Sequence, residues 1–150
     1  MDKFEKEISK YRMIYDHHTH TVYSHGKGTI EDNVRVASQK SLRSIAITDH
    51  GPGHLTYGLS MEKLGEMREE AERLKSVYPE VEVLLGVEAN TLRVAPYLDV
   101  EDKSPFDILL AGYHFGILKA GMVPNYISNH TGLFGGDTSC LLYTSPSPRD

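Results

Sequence analysis

Four apolar runs, each closed by a histidine or a carboxylate, constrain the fold of this chain more than any other feature. "RMIYDHHTH", "SIAITDH", "VEVLLGVEAN" and "FDILLAGYH" have strand length and strand composition. Helical patterns separate the first three. Thr29, with Asp32 three residues on, caps "IEDNVRVASQKSL". Ser60 opens a segment from Met61 to about Val77, in which Met61, Leu64, Met67, Ala71 and Leu74 recur at helical spacing before Pro79 stops it. The lead-in "MDKFEKEISKY" reads as a further short helix. Strands that alternate with helices pair in parallel, and such sheets carry function at the carboxyl ends of their strands, where the following loops share one face. Residues far apart in sequence, each closing a run, then meet in space. The expected class is α/β.

The first run and the loop after it hold four of the eight histidines, His17, His18, His20 and His25, within nine positions. Strand alternation puts His18 and His20 on one face and His17 on the other. H-x-H on a strand is a chelating pair, because neutral imidazole is a ligand for zinc, iron and manganese. Asp49 and His50 close the second run, Glu88 the third and His114 the fourth. Asp16 and Asp49 either orient imidazoles from behind or accept backbone hydrogen bonds at a strand end. His54, in "GPGHLTYG", either lines a substrate entrance or is an exposed loop residue, and His130 in "SNHTG" reads as structural. The "GKG" and "GPGH" loops offer backbone N–H groups, but neither has the spacing of a Walker loop.

Composition excludes several classes. With 39% hydrophobic and 25% charged residues, the make-up is that of an ordinary globular domain. A net charge of -5 and no basic patch leave nucleic acid without an electrostatic footprint. No run is long and apolar enough for a membrane span, and the charged start is unlike a secretory signal, so the expected location is cytoplasmic. A single cysteine, Cys140, precludes an internal disulfide framework. It opens "CLLYTSPSPRD", a translation of a sequencing-library adapter, so residues 140–150 are expected to be an artefact tail and residues 1–139 the N-terminal part of a longer domain. Removing the tail takes away one Arg and one Asp and leaves the net charge unchanged.

"DHHTHT" with "SHG", then "AITDHG", "GVEAN" and "AGYHFG", resembles the successive metal motifs of the PHP family, the polymerase and histidinol phosphatase domains, from about Ile14 to Gly116. The resemblance implies a small free-standing phosphoesterase, folded as a distorted seven-stranded, TIM-like β/α barrel that holds three divalent metals (zinc, manganese or iron). By motif, His18, His20 and Glu88 hold one metal. Glu88 and His114 hold a second, with Glu88 bridging, and His25 and His50 hold a third. Glu88 and His50 take the catalytic positions. The family's later "HP" and D-x-H motifs do not occur here. The implied activity is hydrolysis of a small phosphorylated substrate, such as histidinol phosphate, by metal-activated water, with this chain alone inactive. Alternatives are a phosphotyrosine-protein phosphatase, a phosphodiesterase or a non-catalytic metal-binding domain. Neither nucleic acid nor membrane is an expected partner, and the oligomeric state stays open.

Overall fold

The computed structural model describes residues 10–92 and 98–112. Five elements lead to the third strand: β1 (Tyr15–Thr19), α1 (Ile30–Gln39), β2 (Ser44–Ile47), a 3-10 turn (Met61–Lys63) and α2 (Leu64–Val77). β3 (Glu82–Asn90) and β4 (Ile108–Gly112) follow. The four strands form one curled parallel sheet in the order β1-β2-β3-β4, a half-barrel of the α/β class. The expected N-terminal helix, His114, His130 and the Cys140–Asp150 tail lie outside the described residues. Among the described residues, no helix is long and apolar enough to cross a membrane.

α1 starts where its cap dictates. Asp32 N–H donates to Thr29 Oγ1 at 3.1 Å and Thr29 N–H donates back to Asp32 Oδ2 at 3.1 Å, which satisfies two donors that the first turn leaves without carbonyl partners. The second helix differs from its expected start. Ser60 makes no side-chain cap, and the first turn is 3-10, with Met61 42% exposed; only Leu64, Met67, Ala71 and Leu74 form the buried stripe. A 3-10 turn advances three residues per turn, so its first residue is rotated off the face that the α-helix buries.

That stripe and Val34 and Ala37 of α1 pack on one side of the sheet, against Ile45, Ile47, Val83 and Leu85. By alternation, Ala46, Thr48 and His50 face the inside of the curl, with Gly86 and Glu88. Glycine is required at 86: a Cβ there would stand 2.5 Å from Ile108 Cγ2 and 2.9 Å from Thr48 Cγ2, so any side chain would push the neighbouring strands apart. The curl is what brings Glu88 towards the end of β1. Met67 is fully buried in the core behind it. Met67→Ala is expected to cost about 2–5 kcal/mol, mostly by leaving a cavity; urea unfolding of the chain checks this, and a loss below 1 kcal/mol would contradict the packing described.

β1 departs from simple alternation. Asp16 pairs with Ile45 and Thr19 with Ile47, so three steps on β1 match two on β2 and the strand bulges at His17 and His18. Asp16 and Thr19, paired with the two isoleucines, sit on the helix side. His17 and His18 therefore both turn to the inside, which corrects the expectation that alternation sends His17 to the opposite face. His17 still stays out of the histidine cluster. Its Nε2 lies 3.0 Å from Ser44 Oγ at the start of β2, and its ring packs on Tyr15.

Candidate metal centre

At the carboxyl edge of the sheet, three imidazoles converge on one carboxylate oxygen. Glu88 Oε2 lies 3.0 Å from His50 Nδ1, 3.3 Å from His18 Nε2 and 3.5 Å from His20 Nε2. His18 and His20 bring their Nε2 atoms within 3.2 Å of each other. Glu88 and His50 are each 7% exposed and are joined by an isolated parallel bridge, which prolongs the ladder beyond β2. Among the described residues, two groups each bring their ligating atoms within 4.8 Å of one another, His18–His20–Glu88 and His20–His25–His50. His20 belongs to both. His25 reaches the second set from the loop after β1, where its ring stacks on His50 with centroids 4.9 Å apart.

The donor set fits a divalent cation. Ligand atoms bonded at about 2.1 Å are neighbours at about 3.0 Å when at right angles and about 3.4 Å at the tetrahedral angle. The triangle of His18 Nε2, His20 Nε2 and Glu88 Oε2 has edges of 3.2, 3.3 and 3.5 Å. Charge agrees with spacing. His20 is pushed down to about 4, first by burial and then by the neighbouring His50, against a smaller opposing pull from Glu88. It is therefore neutral at neutral pH and has a lone pair to give. A buried carboxylate beside a neutral imidazole is stabilised by added positive charge, and a divalent ion supplies it.

Of the supporting residues, Asp49, Asp16 and His54 are legible as candidates in the sequence, whereas Thr21 and Asp99 are not. Asp49, fully buried, accepts from Thr21 N at 2.7 Å, from Thr21 Oγ1 at 2.7 Å and from Ser24 Oγ. None of those partners is an imidazole, so the Asp49 carboxylate acts on the cluster through the loop after β1, while its backbone carbonyl accepts from Glu88 N–H at 3.0 Å. Asp16 accepts from the backbone N–H of His18 at 3.4 Å. Of the two uses weighed for these carboxylates, backbone bonding describes Asp16, while Asp49 also binds hydroxyls. His54 is no solitary loop residue. Its ring stacks on His50 at 4.4 Å, and its Nδ1 accepts from Tyr57 N at 3.1 Å, so the "GPGHLTYG" loop folds over the site.

Asp99 ties that loop down. It accepts from Asn90 N at 2.7 Å, Gly53 N at 2.7 Å and Asn90 Nδ2, and a Cβ on Gly51 would fall 2.6 Å from its Oδ1. No sequence signal marked Asp99, because its partners come from two other segments. Asp99→Ala is expected to cost about 2–4 kcal/mol, since it leaves buried N–H donors without acceptors. Thermal melting checks the loss, and an unchanged midpoint would argue against the clamp.

A separate cleft of about 440 Å³ is lined by Val22, Tyr23, Ile30, Glu66, Glu70 and Arg73 among others, and none of the histidines borders it. Burial and the bond to Glu66 push the Tyr23 phenol up to about 12. The metal-ligating groups therefore lie apart from this cleft.

Comparison with known proteins agrees. The PHP domain family model matches residues 16–134. A probable phosphatase of Caldanaerobacter subterraneus subsp. tengcongensis is 36% identical over 108 residues, covering 70% of this chain and 41% of that protein. A probable phosphatase of Shewanella sp. is 36% identical over 107 residues, covering 66% and 39%. Another, of Shewanella piezotolerans, is 30% identical over 128 residues, covering 80% and 46%. The chain thus spans about two-fifths of the length of the curated relatives it matches. With its successive motifs in order on one curled parallel sheet, and a family match over most of its length, this chain belongs to the PHP domain family.

Proposed function

We propose that this chain carries the first part of a metal-dependent phosphatase centre that hydrolyses small phosphomonoesters. The observation that supports it is the convergence of His18, His20 and His50 nitrogens on Glu88 Oε2. In this reading His18, His20 and Glu88 hold one divalent cation, and His20, His25 and His50 face a second, with His20 placed to serve either. His114, expected to share Glu88 with a further cation, lies outside the described residues. Cations held by these residues would supply a lowered pKa for bound water and positive charge for phosphoryl oxygens.

The chain's own residues do the rest. Glu88 contributes the negative charge that keeps cations together at a buried position. His54 and Tyr57, stacked beside His50 and His25, give the site an aromatic wall on its loop side. Tyr57 is 48% exposed, so this wall is open to solvent on its outer side. The names of the relatives, probable phosphatases, support a phosphate ester as substrate.

Metal removal tests the reading. In a protein that joins this segment to the remaining length its relatives possess, chelation is expected to abolish hydrolysis of p-nitrophenyl phosphate, and added zinc or manganese to restore it. Full turnover after exhaustive chelation would refute the proposal.

A further inference from the structure

The loop after β1 contains a chain of hydrogen bonds whose proton directions are dictated by the number of protons available. Thr21 N–H donates to Asp49 Oδ1, and the Thr21 hydroxyl, which accepts from Tyr23 N–H at 3.2 Å, donates its one proton to Asp49 Oδ2. Ser24 donates its one proton to Asp49 Oδ1. A carboxylate accepts only, so Ser24 Oγ has nothing left to donate. Ser24 Oγ also lies 3.4 Å from His20 Nδ1. That contact must run from an Nδ1–H to the serine oxygen, which puts the ring proton of neutral His20 on Nδ1 and leaves Nε2 bare. Nε2 is the atom that faces His18 and Glu88.

We propose that Ser24, oriented by Asp49, is a positioning residue that holds His20 in the Nδ1–H tautomer required for its Nε2 to ligate a metal. The proposal rests on the metal-centre reading above and deepens it. The backbone around His20 is held as well. Asn33 Nδ2 donates to His20 O at 3.1 Å, and a Cβ on Gly26 would fall 2.5 Å from that same oxygen, so only glycine lets the loop return this closely. With the backbone so constrained, the ring's remaining freedom is its rotation and its tautomer, and Ser24 acts on both. Imidazole ligands are commonly ordered in this way by an acceptor on the far ring nitrogen, and loss of such a partner typically weakens metal binding about 10–100-fold.

The experiment is nitrogen-15 NMR of the histidine rings in the metal-free 150-residue chain, together with zinc titration by calorimetry, for the unmodified chain, Ser24→Ala and Ser24→Thr. The ring couplings report which nitrogen of His20 carries the proton. The unmodified chain should show Nδ1–H. Ser24→Ala should shift His20 to a mixture of tautomers and weaken zinc binding about 10–100-fold, and Ser24→Thr, which keeps the hydroxyl, should restore both. The tautomer of the unmodified chain needs no variant, so a poorly folding substitution leaves the test intact. His20 protonated on Nε2 in the unmodified chain would overturn the proposal. So would zinc affinity in Ser24→Ala equal to that of the unmodified chain, whatever its tautomer. An unmodified chain that binds no zinc would refute the metal-centre reading, and the positioning role with it, whereas normal zinc binding unaffected by Ser24→Ala would refute the positioning role alone.

Discussion

Glu88→Gln should lower phosphomonoesterase activity by at least about 100-fold, in a protein that carries this segment within the full length of its relatives. Glutamine has nearly the same shape, so the packing of the 7% exposed side chain is kept. What disappears is one negative charge, at the point where three imidazole nitrogens stand within 3.5 Å of a single oxygen. In the proposed centre, that charge would offset the repulsion between neighbouring cations, which neutral imidazoles would not. Stability without metal should move the other way or stay level, since burying an amide costs less than burying a carboxylate. Activity assays with saturating zinc or manganese, paired with metal-free thermal melts, separate the two effects. Retained turnover with saturating metal would rule out Glu88 as the central ligand, and a metal-free melt lowered by many degrees would show its role to be structural.

Removing His20 should have the broadest effect on metal binding, because His20 alone belongs to both groups of ligating atoms. His20→Ala is expected to weaken zinc binding to the chain by about 100-fold or more, the upper end of what loss of even an outer-shell partner produces, at whichever group its single Nε2 lone pair serves. His25→Ala should affect only the group it shares with His20 and His50. His17→Ala supplies the control, since His17 bonds to Ser44 and stands outside both groups although it is the immediate neighbour of His18. Calorimetric zinc titration distinguishes these cases by stoichiometry and affinity. If His20→Ala and His25→Ala behaved alike, the sharing of His20 between two groups would be wrong.

The elements of the fold were legible because their signals are local. Thr29 and Asp32 sit within one turn of each other, and the spacing of Leu64, Met67, Ala71 and Leu74 repeats within a single helix, so the helices could be placed without knowing their partners. The meeting of these site residues was legible for a related reason. Strand-end residues of a parallel β/α sheet share one edge whatever the loop lengths, so His18, His20, His50 and Glu88 could be expected together from three short motifs.

Only the tertiary structure decided the rest. The bulge that turns both His17 and His18 inward depends on how β1 registers against β2, and no feature internal to "YDHHTHT" reveals that register. The membership of His20 in two ligand groups depends on a loop that brings His25 back over His50. Asp99 holds the loop at Gly51 and Gly53 from a distance of more than forty residues, and Asp49 reaches Ser24 across twenty-five. The sequence by itself determined which side chains are present, where α1 and the four strands lie and that His18, His20, His50 and Glu88 share one edge of the sheet, because propensity and capping act over a few residues. Register, loop closure and the direction of each shared proton were decided by contacts between distant segments, because a buried hydrogen bond is specified only when both of its partners have been brought to the same place.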